Sequence, residues 1–424
     1  MADEGRRSLV ARFGAARAVP TRLEVQHLKA TVRARLFGIH DDLTRVGEFT
    51  VRTRIGSGGM GAVYEAIDPG GEIVAIKTLR GYTPAMLYQL KHEFRALAGV
   101  VHPNLVGLHK LYVSAEQAFF SMERVHGHNF VAHVRGDLER GVFTPAADLR
   151  LRSALAQLVD GVVALHGAGK LHRDLKPSNV LVTAEGRVVV LDFGLVRDID
   201  EAPGVTSSNE SFAGTPAYMA PELASGSAHG EAGDWYAIGV MLHEALCGAL
   251  PFEGPGFQVL LDKCRNEVAD ARDLADGVPD DLAELALALL DRDPGRRPDA
   301  PTIRGALGGA IVERRPSTAT PSPGPCLGRE AELEALEACV LATARDARPT
   351  LAAVHGAPGM GVSALLQAFC ERVTRGRPTL CVQGRCYAQE AVPFRAIDPL
   401  IDDLTRALLE LDEATLAAVV PADV

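Results

Sequence analysis

Residues 170–194 read KLHRDLKPSNVLVTAEGRVVVLDFG. His172, Arg173 and Asp174 form an HRD tripeptide, Lys176 follows two residues on, Asn179 three further, and Asp192, Phe193 and Gly194 close the stretch as DFG. The run between Asn179 and Asp192 holds two short apolar segments around Glu185 and Gly186. That pattern predicts a β-hairpin that brings Asn179 and Asp192 near each other. Amide and carboxylate oxygens are the hard ligands that magnesium prefers. HRD and DFG are each common alone, but their occurrence in this order with Lys176 and Asn179 between them is not.

In order and spacing these residues resemble the catalytic loop and magnesium-binding turn of the eukaryotic-type (Hanks-type) serine/threonine protein kinases of bacteria. The resemblance implies an α+β, bilobal fold: an N-lobe of β-sheet with one helix and a helical C-lobe. It also implies phosphoryl transfer from ATP with Mg2+, in which the protein positions a hydroxyl in line with the γ-phosphate and neutralises charge. Asp174 is then the base and positioner of the hydroxyl, and Lys176 stabilises the transferred phosphoryl. Asn179 and Asp192 hold the metal.

Upstream, EFTVRTRIGSGGMGAVYEAID sets two alternating runs around a glycine-rich turn, which predicts strand, loop and strand. Gly56, Gly58 and Gly61 stand at GxGxxG spacing, and the backbone from Gly56 through Ser57, Gly58, Gly59 and Met60 to Gly61 is suited to close approach to phosphates. Dinucleotide-binding folds share the spacing, but there a helix follows the turn, whereas AVYEA has the composition of a strand. The run IVAIK ends in Lys77, which the resemblance assigns to the α- and β-phosphates. Residues 84–99 read as a helix with Leu90, Phe94 and Leu97 on one face, and Glu93 on it is the expected partner of Lys77. Residues 102–111 and 118–125 supply two more strands to a five-stranded N-lobe. By resemblance Met122 is the gatekeeper, Glu123 to Val125 form the hinge, and Val63, Ala75 and Leu181 sandwich the adenine. Asn129 stands where many kinases place an acid for the ribose.

Downstream of Pro145 the apolar residues recur at helical spacing and end in glycine, as a long C-lobe helix requires. A polar loop between Gly194 and Gly214 carries Thr206, Ser207, Ser208 and Ser211. A phosphate on that loop would give Arg173 an anionic partner, so these four are the expected activation-loop phosphosites. Lys176 and Thr215, by resemblance, bond each other and Asp174, which favours serine and threonine over tyrosine. Glu222 of the APE motif needs a buried cation, and Arg297 is the expected partner. Asp234 and Trp235 resemble the helix that anchors the catalytic loop from below.

A length of 424 residues suggests two to three domains, and 47% hydrophobic with 23% charged residues are the proportions of a globular protein. The net charge of -10 argues against a general nucleic-acid binder. No run of about 18 apolar residues occurs, so no membrane span is expected. Seven cysteines without a CxxC pair fit reduced thiols, and a cytoplasmic location is the expectation. Lysine supplies only seven of the 44 basic residues, so each lysine invites a reason specific to lysine.

The expected organisation is a basic extension over 1–47, a kinase domain over 48–310 (N-lobe 48–122, C-lobe 126–310), a Pro/Ser/Thr linker over 311–325 and a further module over 326–424. In the last, a helix from residue 328, a strand TLAAVHG and then GAPGMGVSALLQAFCERV outline a P-loop with Gly356, Gly361 and Ser363 in place. Position 362 is valine where the motif has lysine. This part resembles an incomplete α/β module of the AAA-like ATPases fused to bacterial signalling kinases, and is read as a docking or sensory remnant. Protein substrates bearing Ser or Thr are the expected partners. The competing readings are a pseudokinase scaffold, which losses at Lys77, Asp174 or Asp192 would have supported, and an ATP-driven switch acting through the C-terminal module.

Overall fold

The computed structural model describes residues 44–57, 61–79, 83–114, 117–192, 197–198, 216–225, 230–254, 256–308, 328–346, 348–357, 359–376 and 379–409. The chain divides into two units, Met1–Lys91 with Leu108–Arg124, and His92–Gly107 with Val125–Val424. The glycine-loop residues Gly58, Gly59 and Met60 lie outside the described residues, as do Phe193, Gly194, Thr206, Ser207, Ser208, Ser211, Thr215 and the linker.

The first unit is built on strands β1 (Arg45–Val46), β2 (Phe49–Ser57), β3 (Gly61–Ile67) and β4 (Ile73–Leu79), followed after a helix by β5 (Leu108–Val113) and β6 (Ala118–Glu123). They are hydrogen-bonded antiparallel in the order β1-β2-β3-β4-β6-β5. Alternation along β3 and β4 turns Ala62, Tyr64, Ala66, Val74 and Ile76 into one buried face, closed by Val46, Phe49, Val51 and Phe119. Two details differ from the sequence reading. The two-residue strand β1 adds to the five expected strands, and the strand expected from residue 102 begins only at Leu108. Residues 102–107 instead form a turn whose Val106 N–H bonds Val190 O at 3.0 Å. Pro103 lacks a donor for a ladder.

Helix α1 (Pro84–Leu97) buries Leu90, Phe94 and Leu97 along one face. In the second unit, β7 (His128–Asn129) leads into α2 (Phe130–Arg135), whose N-cap is Asn129. Helix α3 (Pro145–Gly167) starts with Thr144 as N-cap and proline in its first turn, and buries Leu151, Leu155, Leu158, Val162 and Leu165. Strands β8 (Lys170–Leu171), β9 (Val180–Val182), β10 (Val188–Val190) and β11 (Arg197–Asp198) follow. The expected hairpin is β9 and β10, paired Val182 to Val188 through Val180 to Val190, with Gly186 at φ +81° in its turn.

Helix α4 (Glu231–Cys247) is buried nearly all round, which marks it as the centre of this unit. Gly239 lets α7 come close: a Cβ there would stand 2.7 Å from the Cβ of Leu289. Helices α5 (Gly256–Arg265), α6 (Ala271–Leu274), α7 (Asp280–Leu289) and α8 (Ala300–Ala306) complete this helical part. Farther on, α9 (Glu330–Asp346) packs Leu333 and Leu336 against Leu365 of α10 (Val362–Gly376), and α11 (Asp398–Leu409) ends the described chain. The strand expected for TLAAVHG is absent: residues 350–356 carry no ladder, and most are exposed. An isolated apolar run needs a neighbouring strand to satisfy its backbone, and none pairs with it among the described residues.

Candidate active site

The catalytic-loop residues converge through short local bonds. Lys176 Nζ donates to Asp174 Oδ2 at 2.6 Å, and Asn179 Nδ2 donates to Asp174 O at 2.9 Å and to Oδ2 at 3.2 Å. Both side chains therefore orient one carboxylate. Because the Asn179 amide nitrogen is committed to Asp174, its Oδ1 is the atom suited to a metal. Leu191 N donates to Asn179 O at 2.7 Å, which draws the residue before Asp192 onto Asn179. Asp192 is exposed and takes φ +57°, a left-handed conformation uncommon outside glycine but tolerated best by Asp and Asn. The donor set, one amide oxygen and one carboxylate on an open edge, fits Mg2+, which keeps several waters and takes the rest of its ligands from phosphates. No group of three or more His, Cys, Asp or Glu that could hold a metal occurs among the described residues.

The loop is anchored from beneath. Asp234, buried on α4, accepts His172 N and Arg173 N at 2.9 Å each and also meets His166 Nε2 at 2.9 Å. Those bonds hold Arg173 at φ +67°, a strained position for a long side chain. The His172 ring is fully enclosed between Leu191 O (3.1 Å from Nε2) and Asp174 N (3.3 Å from Nδ1). Burial pushes its pKa below the ordinary value and keeps it neutral, with Nε2 donating and Nδ1 accepting.

A cavity beside Asp174 is lined by Arg173, Leu175, Tyr218, Met219 and Gly233. Its far wall, residues 216–220, is fastened by a lysine that sequence reading passed over. Lys263 Nζ donates to Pro216 O, Ala217 O and Met219 O at 3.1, 2.6 and 2.7 Å and lies 5.0 Å from the centre of the Tyr236 ring. The signal was present, since Lys263 is one of only seven lysines in an arginine-rich chain. Glu222 and Arg297 form the expected pair as a two-pronged fork, 2.7 Å at both contacts, and Arg297 also donates to Asp291 O and Ala232 O.

In the first unit, register determines which residues share a face. Gly56 pairs with Val63, Val63 with Lys77, and Ala75 with Met122. Directly paired residues point to the same side of a sheet, so Gly56, Val63, Lys77, Ala75 and Met122 occupy the face opposite the buried core. Gly61 has a reason independent of any phosphate: a Cβ there would stand 1.8 Å from Thr78 O. Glu123 ends β6 and pairs with Val74. In the second unit Glu93 is buried on α1, Val125 is buried, and Leu181 on β9 pairs with Asn129. Asn129 also has a structural role. Its Oδ1 accepts Ala132 N at 2.9 Å as the cap of α2, so only its amide nitrogen is suited to a ribose.

In the C-terminal part, Gly359 and Gly361 take φ +86° and +80° before α10, and a Cβ on Gly356 would meet a Val362 methyl at 2.8 Å. The apolar side chain at 362 thus crowds the loop backbone where a lysine would extend toward phosphate.

Residues 49–306 match the family described as protein kinase domain, and residues 325–423 match that described as AAA ATPase domain. The chain is 35% identical over 259 residues to the DNA damage-responsive serine/threonine-protein kinase RqkA of Deinococcus radiodurans, covering 60% of this chain and 38% of that one. It is 32% identical over 328 residues to the serine/threonine-protein kinase PknA of Mycobacterium tuberculosis, covering 72% and 73%. A probable serine/threonine-protein kinase, pknA2 of Bifidobacterium longum, is 30% identical over 260 residues, 59% of this chain and 33% of that one. The chain therefore spans 33% and 38% of the length of two of these relatives.

Proposed function

Because the chain belongs to the protein kinase family, we propose that it is a serine/threonine kinase that transfers the γ-phosphoryl of MgATP to Ser and Thr hydroxyls of proteins, its own activation loop included. The observation that carries this reading is the Asp174 carboxylate held by Lys176 at 2.6 Å and by Asn179 at 3.2 Å. A carboxylate oriented by two side chains is suited to hold a substrate hydroxyl in line and accept its proton. Lys176, on the same carboxylate, would stabilise the transferred phosphoryl. Asn179 through Oδ1 and Asp192 would hold Mg2+, which when bound neutralises charge on the phosphates. Lys77 and Glu93 serve the α- and β-phosphates. Gly56 to Gly61, Val63, Ala75, Met122, Glu123, Val125 and Leu181 are the further residues proposed to bind the nucleotide. Thr215 joins Lys176 in shaping the site for a short hydroxyl side chain. No helix among the described residues is long and apolar enough to cross a membrane, and a cytoplasmic place of action is part of the proposal.

The deciding measurement is transfer of labelled γ-phosphate to the chain itself and to a generic basic protein. Asp174→Asn keeps the bonds from Lys176 and Asn179 possible but loses the proton acceptor, so the rate should fall by about 10²–10⁴-fold. Equal rates for the variant and the wild-type chain would overturn the assignment.

A further inference from the structure

Arg95, in the last turn of α1, stands two residues from Glu93 and bonds three carboxylates some 300 residues away in the sequence. Its Nε donates to Glu390 Oε1 at 2.6 Å, and Nη2 donates to Glu390 Oε2 at 3.1 Å and Asp398 Oδ2 at 2.7 Å. Nη1 donates to Asp402 Oδ2 at 2.9 Å. The guanidinium is 14% exposed and the Glu390 side chain 0%, so the contact is not a solvated surface pair, whose worth is small. Burial works against the charge on Arg95, but the bonds to Glu390 and Asp398 outweigh it and hold the pKa above the ordinary arginine value. A planar fork that serves three carboxylates at once fixes direction as well as distance. Asp398 and Asp402 lie one turn apart on α11, and Gln383 N donates to Asp403 of the same helix at 2.8 Å. The acidic set is thus braced by its own module.

We propose that the Arg95 face of α1 is the docking surface for the C-terminal module, and that this grip supports kinase activity by fixing the helix that carries Glu93. The inference rests on the kinase reading above for its consequence, though not for the contact itself. Glu93 and Arg95 lie on different sides of one helical turn, so holding the Arg95 side limits rotation and sliding of the other. The module then acts as a cis-acting brace, a role that does not need a nucleotide on the loop where Val362 replaces lysine.

The test uses the full chain in four forms: wild type, Arg95→Met, the triple change Glu390→Gln, Asp398→Asn and Asp402→Asn, and both together. Autophosphorylation rate at varied MgATP gives kcat/KM, and amide hydrogen exchange reads residues 90–97. The expected result is a 5- to 20-fold lower kcat/KM from either side, no further loss beyond about twofold when both are changed, and faster exchange over 90–97 in each variant. Arg95→Lys keeps the charge but loses the fork, and should fall between. A triple variant with kcat/KM at or above wild type, or losses that multiply in the combination, would overturn the brace. Inactive wild type would refute the kinase reading instead, and unchanged exchange in the triple variant would still overturn the docking.

Discussion

Lys263 shows how one side chain can hold a wall of the site without touching the reacting atoms. Burial pushes its pKa down to about 7, while three carbonyl oxygens and the Tyr236 ring favour the ammonium form. Glu222 also faces it with opposite charge. In the unfolded chain the same lysine keeps its proton to about pH 10.4. Between about pH 7 and 10.4 the unfolded state therefore binds more protons than the folded one, and the stability contribution of Lys263 rises with pH across that window. Thermal melts of wild type and Lys263→Met at pH 7 and pH 9 should show the wild type gaining relative to the variant at the higher pH; an unchanged gap would mean that the amine does not titrate there. Arg297 makes a prediction of the opposite kind. Its side chain is wholly enclosed on Glu222, so Arg297→Met removes the two-pronged fork from a largely buried carboxylate and should cost about 3–5 kcal/mol in denaturant unfolding. Glu222→Gln with Arg297→Met together should restore part of that loss.

At the level of elements, the hairpin of β9 and β10 and the helix α4 do the positioning. The hairpin draws Leu191, and with it Asp192, onto Asn179, while α4 presents Asp234 to two backbone N–H groups of the catalytic loop. Both features were legible in sequence, the hairpin because alternation around a glycine turn is a local pattern, and Asp234 through the resemblance of its segment to the helix that anchors a kinase catalytic loop. The strand expected for 350–356 was not, since an apolar run reads alike whether or not another strand lies beside it. Asn129 was likewise ambiguous, because a short polar side chain before an apolar segment serves as a cap as readily as a ligand contact. The loop bearing Thr206, Ser207, Ser208 and Ser211 belongs to this scale too. Replacing all four with alanine should lower kinase activity at least several-fold and remove most labelled phosphate from the chain; phosphosite mapping and a substrate assay on the same protein check both, and unchanged activity would remove this loop from regulation.

Across the whole chain, a kinase domain is followed by a module that keeps the glycine loop and helix of an ATPase but crowds the loop with Val362. One MgATP per chain is expected in equilibrium dialysis, with Val362→Ala leaving the stoichiometry unchanged and Lys77→Met lowering the affinity at the one site. Two nucleotides bound per wild-type chain would restore an active role to the second loop. The sequence by itself determined the family and singled out the residues proposed to perform its chemistry, because phosphoryl transfer needs a few side chains of definite type close together along the chain, and that closeness survives as spacing. Only the tertiary structure decided that Lys263 fastens three carbonyls of the cavity wall and that Arg95 meets Glu390, Asp398 and Asp402. Contacts between charges so far apart in the chain leave no periodicity or motif behind, since any of the many arginines and acids in the chain could have made them, and only packing selects which do.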